Sequence, residues 1–314
     1  MNIRTYWKQE AEEKLSAPNP MRKITLFHSA VTLGISLLLA LIGIVISDFV
    51  ADTGGLSGIE TRNMLQTAQS FLNSLYSIVQ PFWIVGILFA YMCYARGQQT
   101  DNRSLLAGFR RIGPVFRLYL LKALLMVVLA IPCAYAAAML TVSMSSELVT
   151  VLKPVTDALA QDPAADVAQL IQQIPLKELL GAMIPTLVVF GVLYMALFIY
   201  LGCRLRFASY KILDDPRCGA IEAMRASYRM TRYQVRTLIM LDLGFWFYYL
   251  LVALATVLAF ADLLLPSVIS TQWATMLCYS LYAAAMLGLD YTIRPKVETT
   301  YAIVYDALSQ NMQG

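Results

Sequence analysis

The stretch that decides the fold reads CRLRFASYKILDDPRCGAIEAMRASYRMTRYQVR and occupies residues 203–236. It joins two long apolar runs and carries eight of the 24 basic residues in the chain. Only Asp214, Asp215 and Glu222 oppose those charges. Basic segments beside apolar spans remain on the cytoplasmic side of a membrane. This basic linker therefore predicts a membrane protein and also its orientation.

The composition indicates a protein that lies in lipid. Of its 314 residues, 59% are hydrophobic and 14% are charged, whereas about a quarter of the residues of a soluble domain are charged. The net charge of +4 would also suit a nucleic-acid-binding protein. We expect no nucleic-acid partner, because the basic residues flank apolar runs, where topology and anionic lipid account for them.

Six apolar runs recur along the chain, each long enough to cross a bilayer core, which takes about 20 residues. They cover residues 24–50, 75–95, 115–144, 179–201, 237–260 and 271–293. The predicted fold class is all-α integral membrane, a single domain over residues 1–314 that forms a bundle of six transmembrane helices. The first run is longer than the apolar core of a signal peptide, so we predict that it is a retained span.

Amphipathic segments are predicted on both faces of the bundle. In residues 1–23, Trp7, Ala11 and Leu15 recur every four positions, which favours a short cytoplasmic interfacial helix over a frayed tail. Residues 145–178 contain two apolar stripes at helical spacing, which indicate two amphipathic helices on the outer face. The alternative for this second segment is a lid over a substrate path.

Local signals predict three features of the connections. Residues 51–73 contain three glycines near their start and are predicted to form a loop. Asp101 is predicted to cap a small helix that runs through Leu105. Gly113–Pro114 is predicted to break that helix from the third span.

Charge counting predicts that both termini are cytoplasmic. In that orientation, 19 of the 24 basic residues lie inside. The outer loops then hold only Arg62, Lys153 and Lys177. This asymmetry satisfies the positive-inside rule.

The second half of the basic linker has a helical pattern. Its arginines step by four, three and four and so are predicted to line one face of a surface helix: Arg225, Arg229, Arg232 and Arg236. A more apolar stripe that includes Ile221, Met224 and Tyr228 lies beside them. The arginines are candidates for contact with anionic lipid headgroups or with a partner protein. The alternative is an anchor that only sets topology.

Three runs in the second half of the chain resemble the signature region of the bacterial membrane proteins grouped as domain of unknown function 975. They are ASYKILDDPR at 208–217, AIEAMRASYRMTRY at 220–233 and LDLGFWFYYLL at 241–251. The positions that carry the resemblance are Tyr210, Asp215–Pro216, Ser227, Met230, Trp246 and the aromatic Tyr301–Tyr305 segment.

The resemblance implies a bacterial plasma-membrane protein and implies no activity. Many members have Gly-Lys after the methionine, whereas this chain has Thr231–Arg232. The turn at that point is therefore expected to differ. The resemblance covers about the last third of the chain, and the rest agrees only in topology.

Three ionisable residues inside predicted spans form a candidate transport path: Lys122, Asp242 and Asp290. Ionisable residues in spans are a default functional hypothesis. They lie toward the cytoplasmic ends of their spans, so structural pairs are the other interpretation: Lys122 with Asp242 or Asp290, and Asp290 with Arg294 at i,i+4.

No enzyme is predicted, because the chain lacks the parts of known catalytic sites. His28 is the only histidine, so a histidine metal cluster or a Ser-His-Asp triad cannot be assembled. No phosphate-binding or dinucleotide motif is present, and we expect no cofactor. The predicted function is a non-enzymatic membrane scaffold or accessory subunit whose basic cytoplasmic face contacts anionic lipid or a protein partner. The alternative is a small transporter or permease component.

Overall fold

The protein is helical throughout its described part, in agreement with the predicted all-α class. The computed structural model describes residues 3–16, 20–52, 56–144, 147–161, 176–259 and 272–310, and these residues contain no strand. A 3₁₀ helix (Asn102–Arg111) accompanies the α-helices, which are α1 (Ile3–Ser16), α2 (Pro20–Asp52), α3 (Leu56–Ala95), α4 (Ile112–Met144), α5 (Glu147–Gln161), α6 (Leu176–Leu205), α7 (Ala208–Asp214), α8 (Ala220–Met230), α9 (Val235–Leu243), α10 (Trp246–Ala259), α11 (Gln272–Thr292) and α12 (Arg294–Gln310).

Four helical stretches among these residues are long and apolar enough to cross a bilayer. They are Pro20–Gly43, Asn63–Ala95, Asn102–Leu140 and Ile184–Asp214. Two further pairs reach that length only when they are joined across a bend, α9 with α10 at 63° and α11 with α12 at 47°. The number of candidate spans is therefore four, or six if each bent pair counts as one span. Within the described residues, each of the six predicted runs overlaps one of these stretches or bent pairs.

Two compact units make up the chain. The second unit covers Leu120–Cys203 and contains most of α4 and α6, with α5 between them. Large apolar side chains on α4 and α6 are exposed, among them Ile131 at 68% and Val192 at 65%. Helices with that surface are suited to lipid. Helix α5 confirms the first of the two amphipathic helices predicted within residues 145–178, whereas the second lies outside the described residues.

The first unit covers Met1–Tyr119 and Arg204–Gly314, and α12 is its central helix. Ten of the 17 residues of α12 are buried, among them Val297, Tyr301, Val304 and Leu308, which recur at helical spacing. Helices α1, α2, α3 and α11 all pack against α12. Helix α2 also packs against α3 and α11, and α10 packs against α11.

Helix α1 confirms the predicted N-terminal amphipathic helix. Trp7, Ala11 and Leu15 are its buried residues. The helix packs on α12, so protein rather than lipid covers its apolar stripe.

The 3₁₀ helix packs on α3 through two glycines. A side chain at Gly86 would overlap the carbonyl oxygen of Leu105, and one at Gly108 would overlap the carbonyl oxygen of Phe82. The two backbones are therefore in direct contact. The predicted cap is confirmed, since Asp101 accepts a 2.6 Å hydrogen bond from the backbone N–H of Asn102.

Two predictions about the connections are wrong, the loop at residues 51–73 and the helix break at Gly113–Pro114. Helix α3 already begins at Leu56, so most of the loop predicted for residues 51–73 is helical. Pro114 does not break a helix but lies in the first turn of α4. A backbone N–H in that turn makes no intrahelical hydrogen bond, so proline is tolerated there.

Candidate functional site

A cavity of about 460 Å³ lies in the first unit, where the two bent helix pairs meet α3. Four charged side chains line it: Arg206, Asp290, Arg294 and Glu298. Four tyrosines form another part of its wall: Tyr210, Tyr248, Tyr249 and Tyr301. Apolar side chains from α3, α11 and α12 complete the lining. Its volume lies within the range of small-molecule sites, which is about 300–1,000 Å³.

Asp242 borders this cavity through an ion pair with Arg206. The guanidinium donates two hydrogen bonds to the carboxylate, at 2.8 and 3.1 Å. The hydroxyls of Tyr249, at 3.0 Å, and Tyr301 donate to the same carboxylate. The Arg206 guanidinium also lies 4.0 Å from the centre of the Tyr301 ring. Asp242 is thus held by the segment before α7, by α10 and by α12 around the bend that follows α9.

Asp290 lies at the other bend. Its predicted i,i+4 pair with Arg294 is confirmed, at 3.0 Å between Nη1 and Oδ2. Ser29 of α2 donates to the same oxygen. Asp290 is only 4% exposed, and its Oδ1 has no hydrogen-bond partner among the described residues.

The three residues of the predicted transport path are therefore placed in two groups. Asp290 lines the cavity and Asp242 borders it, each paired with an arginine. Lys122 lies half-buried on α4 in the second unit. Its proposed pairing with Asp242 or Asp290 stays a prediction.

Sequence reasoning missed Glu298 and the role of Arg206, and it paired Arg294 with Asp290 without placing Arg294 at a cavity. Arg206 was counted only for topology, and Glu298 lies in the C-terminal segment that was predicted to be cytoplasmic. The one available signal for Glu298 was its place next to Val297, in a segment where apolar residues recur at helical spacing. Arg206 and Asp242 are 36 positions apart, so spacing could not have paired them.

Several other basic residues of the first unit are used inside the fold. Arg96 joins three helices, with 2.7 Å contacts to Asp214 at the end of α7 and to Asp306 of α12. Tyr305 donates to the other oxygen of Asp214, at 2.9 Å. These hydrogen bonds, above all the one to Asp306, raise the pKa of Arg96 above its ordinary value. Arg96 therefore stays charged, and with Asp214 and Asp306 it forms a junction between the ends of α3 and α7 and helix α12.

Two further cations satisfy backbone carbonyls at helix ends. Arg111 donates to the carbonyl oxygens of Ile212, Asp215 and Pro216, which follow or end α7. Lys8 of α1 donates to the carbonyl oxygen of Gly244, at 2.8 Å, in the bend between α9 and α10. Burial lowers the pKa of Lys8.

The basic linker differs from the single helix that was predicted. Helix α8 ends at Met230, a turn follows, and α9 begins at Val235. Arg225 and Arg229 therefore lie on α8, Arg232 lies in the turn and Arg236 lies on α9. The helix ends where the Thr231 side chain bonds back to the carbonyl oxygen of Ser227, at 2.9 Å.

The buried face of α8 is also not the predicted apolar stripe. Small residues form it, namely Ala220, Ala223, Ala226 and Ser227, together with Met230. Ser227 donates to the carbonyl oxygen of Arg204, at 2.7 Å. Small side chains allow this close approach, so the larger Ile221 and Tyr228 remain 62% and 48% exposed.

The four predicted arginines are all exposed. None of them forms an ion pair within the part of the chain that the structure describes, and Arg232 lies over its neighbour Tyr233 at 5.3 Å. Ile221, Arg225 and Tyr228 share one face of α8 by helical spacing. We use the name basic surface for these exposed residues taken together: Arg225, Arg229, Arg232, Arg236, Ile221 and Tyr228.

No group of three histidine, cysteine, aspartate or glutamate side chains that could hold a metal ion occurs among the described residues. His28 is buried and stacks on Trp83 at 5.4 Å. No family model, curated protein or solved structure matches the chain. The described residues define the class as a helical protein with four to six candidate membrane spans. The resemblance to domain of unknown function 975 stays a prediction.

Proposed function

We propose that this chain is a six-span protein of a bacterial cytoplasmic membrane, with both termini in the cytoplasm. Its proposed role is that of a non-enzymatic scaffold or accessory subunit whose basic surface binds anionic lipid headgroups. A protein partner that carries acidic groups is the other occupant this surface would suit.

The observation that carries the proposal is the exposure of the basic surface. The fold uses Arg96, Arg111 and Lys8 internally, while it leaves the four arginines of the basic surface exposed. Two of them, Arg225 and Arg229, share α8 with exposed Ile221 and Tyr228. Arginines next to exposed apolar side chains on one helix are typical of segments that lie on anionic membranes.

Lipid titration of the full-length protein in neutral detergent tests this proposal. Each arginine near an anionic surface contributes about 1 kcal/mol. Changing all four to Gln is therefore expected to weaken phosphatidylglycerol binding by up to about 4 kcal/mol, roughly a thousandfold. Native mass spectrometry would count the retained lipids, with phosphatidylcholine as the neutral comparison.

The matched control replaces the three basic residues predicted to lie outside, Arg62, Lys153 and Lys177, with Gln. It is expected to keep phosphatidylglycerol bound at the linker. Equal retention by the linker variant would refute lipid binding by the basic surface. Loss of a co-purifying acidic protein with lipid binding unchanged would assign the surface to a protein partner instead.

Cysteine labelling tests the orientation independently. In a cysteine-free background, Ala160→Cys on α5 is expected to react with a membrane-impermeant maleimide in intact cells. Arg229→Cys is expected to react only after permeabilisation. The reverse pattern would overturn the proposed topology.

A transporter is the second candidate, because Asp290 and the Arg206–Asp242 pair meet at one cavity beside two bent helix pairs. Discontinuous spans form the substrate sites of many transporters. Proteoliposomes with an entrapped pH-sensitive dye would detect a proton flux. Asp242→Asn would abolish such a flux while the helical content is retained. A wild-type protein that gives no flux above empty liposomes would leave the accessory role as the proposal.

A further inference from the structure

The cavity of the first unit contains buried oxygen atoms that lack a hydrogen-bond donor among the described residues. Two buried side chains of its lining have an oxygen without a hydrogen-bond partner in the described part of the chain. These oxygens are Oδ1 of Asp290 and the hydroxyl of Tyr210. Tyr210 is only 1% exposed. An unpaired buried polar atom is costly, so a built cavity with two of them points to an occupant.

The charges at the cavity identify the sign of that occupant. Asp242, Asp290 and Glu298 supply three carboxylates, and Arg206 and Arg294 supply two guanidiniums. Arg206 is used on Asp242, and Arg294 is used on Asp290. Glu298 also lines the cavity and forms no ion pair within the described residues. One positive charge on a ligand would balance its ionised carboxylate.

The tyrosine wall identifies the chemical class. Arg206 already lies over the ring of Tyr301, and Tyr248 and Tyr249 are further rings of the lining. Aromatic rings beside carboxylates recognise organic ammonium ions. Ile84 and Leu88 on the opposite helix supply apolar contacts for the body of such a ligand.

We propose that this cavity binds a small organic primary amine in its ammonium form. The ammonium group lies near Glu298 and donates to Asp290 and Tyr210, and the organic body lies against the tyrosines and α3. The proposal is independent of the basic surface, since none of the four linker arginines lines the cavity.

Thermal unfolding of the full-length protein in neutral detergent, with benzylamine as the probe, tests the proposal. Ligand binding to the folded state raises the unfolding temperature in a saturable manner. Benzyl alcohol has the same ring without the charge, and benzoate has the opposite charge. We expect a saturable rise with benzylamine and none with either comparison compound at the same concentrations.

Glu298→Gln is expected to reduce benzylamine affinity at least about tenfold, since it removes the charge and keeps the shape. Glu13→Gln, the same change at an exposed position of α1, is the matched control and is expected to bind as wild type does. Ile84→Trp fills part of the cavity without altering a charge and is expected to weaken binding as well. It keeps the test decisive if Glu298→Gln does not fold.

Three results would each overturn the proposal. The first is the absence of a saturable shift with benzylamine between pH 6 and 8. The second is an equal shift with benzyl alcohol. The third is a benzylamine shift that persists in both Glu298→Gln and Ile84→Trp, which would place the amine in the micelle or elsewhere on the protein.

Discussion

Replacing Arg96 with Gln is expected to loosen the contact between α3, α7 and α12. The guanidinium holds Asp214 and Asp306 at 2.7 Å each. The substitution leaves two carboxylates without their positive partner, although Tyr305 still donates to one of them. The three side chains are 31%, 27% and 21% exposed, so solvent screens the pairs only in part.

The expected loss follows from that partial exposure. Exposed pairs contribute about 0.2–1 kcal/mol and charged hydrogen bonds about 1.5–3 kcal/mol. We therefore assign about 1 kcal/mol to each carboxylate and about 2 kcal/mol to the junction. A loss of that size raises the population of the opened state roughly 30-fold.

Thiol labelling of Cys93 measures this opening directly. Cys93 is 8% exposed and lies one turn before Arg96 on α3. In a background where the other four cysteines are Ala, its labelling rate follows the local opening equilibrium. We expect a roughly 30-fold faster rate for Arg96→Gln and about fivefold for Asp306→Asn, which removes one pair.

Arg103→Gln is the matched control. Arg103 is an exposed arginine of the 3₁₀ helix that has no ion pair within the described residues, and its replacement is expected to leave the rate unchanged. Labelling of Cys93 in Arg96→Gln within about twofold of the wild-type rate would refute the reasoning, because the junction would then contribute almost nothing.

Three further changes are expected to affect the thermal unfolding midpoint. Gly108→Ala forces the 3₁₀ helix from α3 and is expected to cost about 1–3 kcal/mol, whereas Gly113→Ala, with open space around it, should be neutral. Arg111→Gln uncaps α7 and is expected to cost about 1–2 kcal/mol, while exposed Arg110→Gln should not. Burial lowers the pKa of Lys8 below its ordinary value of 10.5. The unfolded chain therefore binds more protons between the two values, so stability gains a contribution as pH rises through that window, and Lys8→Met should lose it. The first prediction fails if Gly113→Ala lowers the unfolding midpoint as much as Gly108→Ala, and the second fails if Arg110→Gln lowers it as much as Arg111→Gln. The third fails if the midpoint of Lys8→Met changes with alkaline pH as the wild-type midpoint does.

Patterns between residues close in sequence could be predicted. The stripe of Trp7, Ala11 and Leu15, the Asp101 cap and the Asp290–Arg294 pair all join positions no more than four apart. Hydropathy located the apolar helices because a long apolar run is also a local pattern, and such a run is what a candidate span requires.

Contacts between distant segments could not be predicted. Arg96 meets residues 118 and 210 positions away, and nothing local distinguishes it from arginines that set topology. The buried face of α8 was misassigned because hydrophobicity favours Ile221 and Tyr228. The helix instead packs through alanines and a serine, where close approach of backbones decides the outcome.

The central place of α12 has a consequence for how the protein is made. Among the described helices α12 is translated last, yet α1, α2, α3 and α11 all pack against it. Until it emerges from the ribosome, the apolar stripe of α1 lacks its cover and Arg96 lacks Asp306, one of its two carboxylate partners. The first unit can therefore be completed only after α12 has been synthesised. Nascent chains stalled before residue 294 are expected to be open to proteases that the finished protein resists.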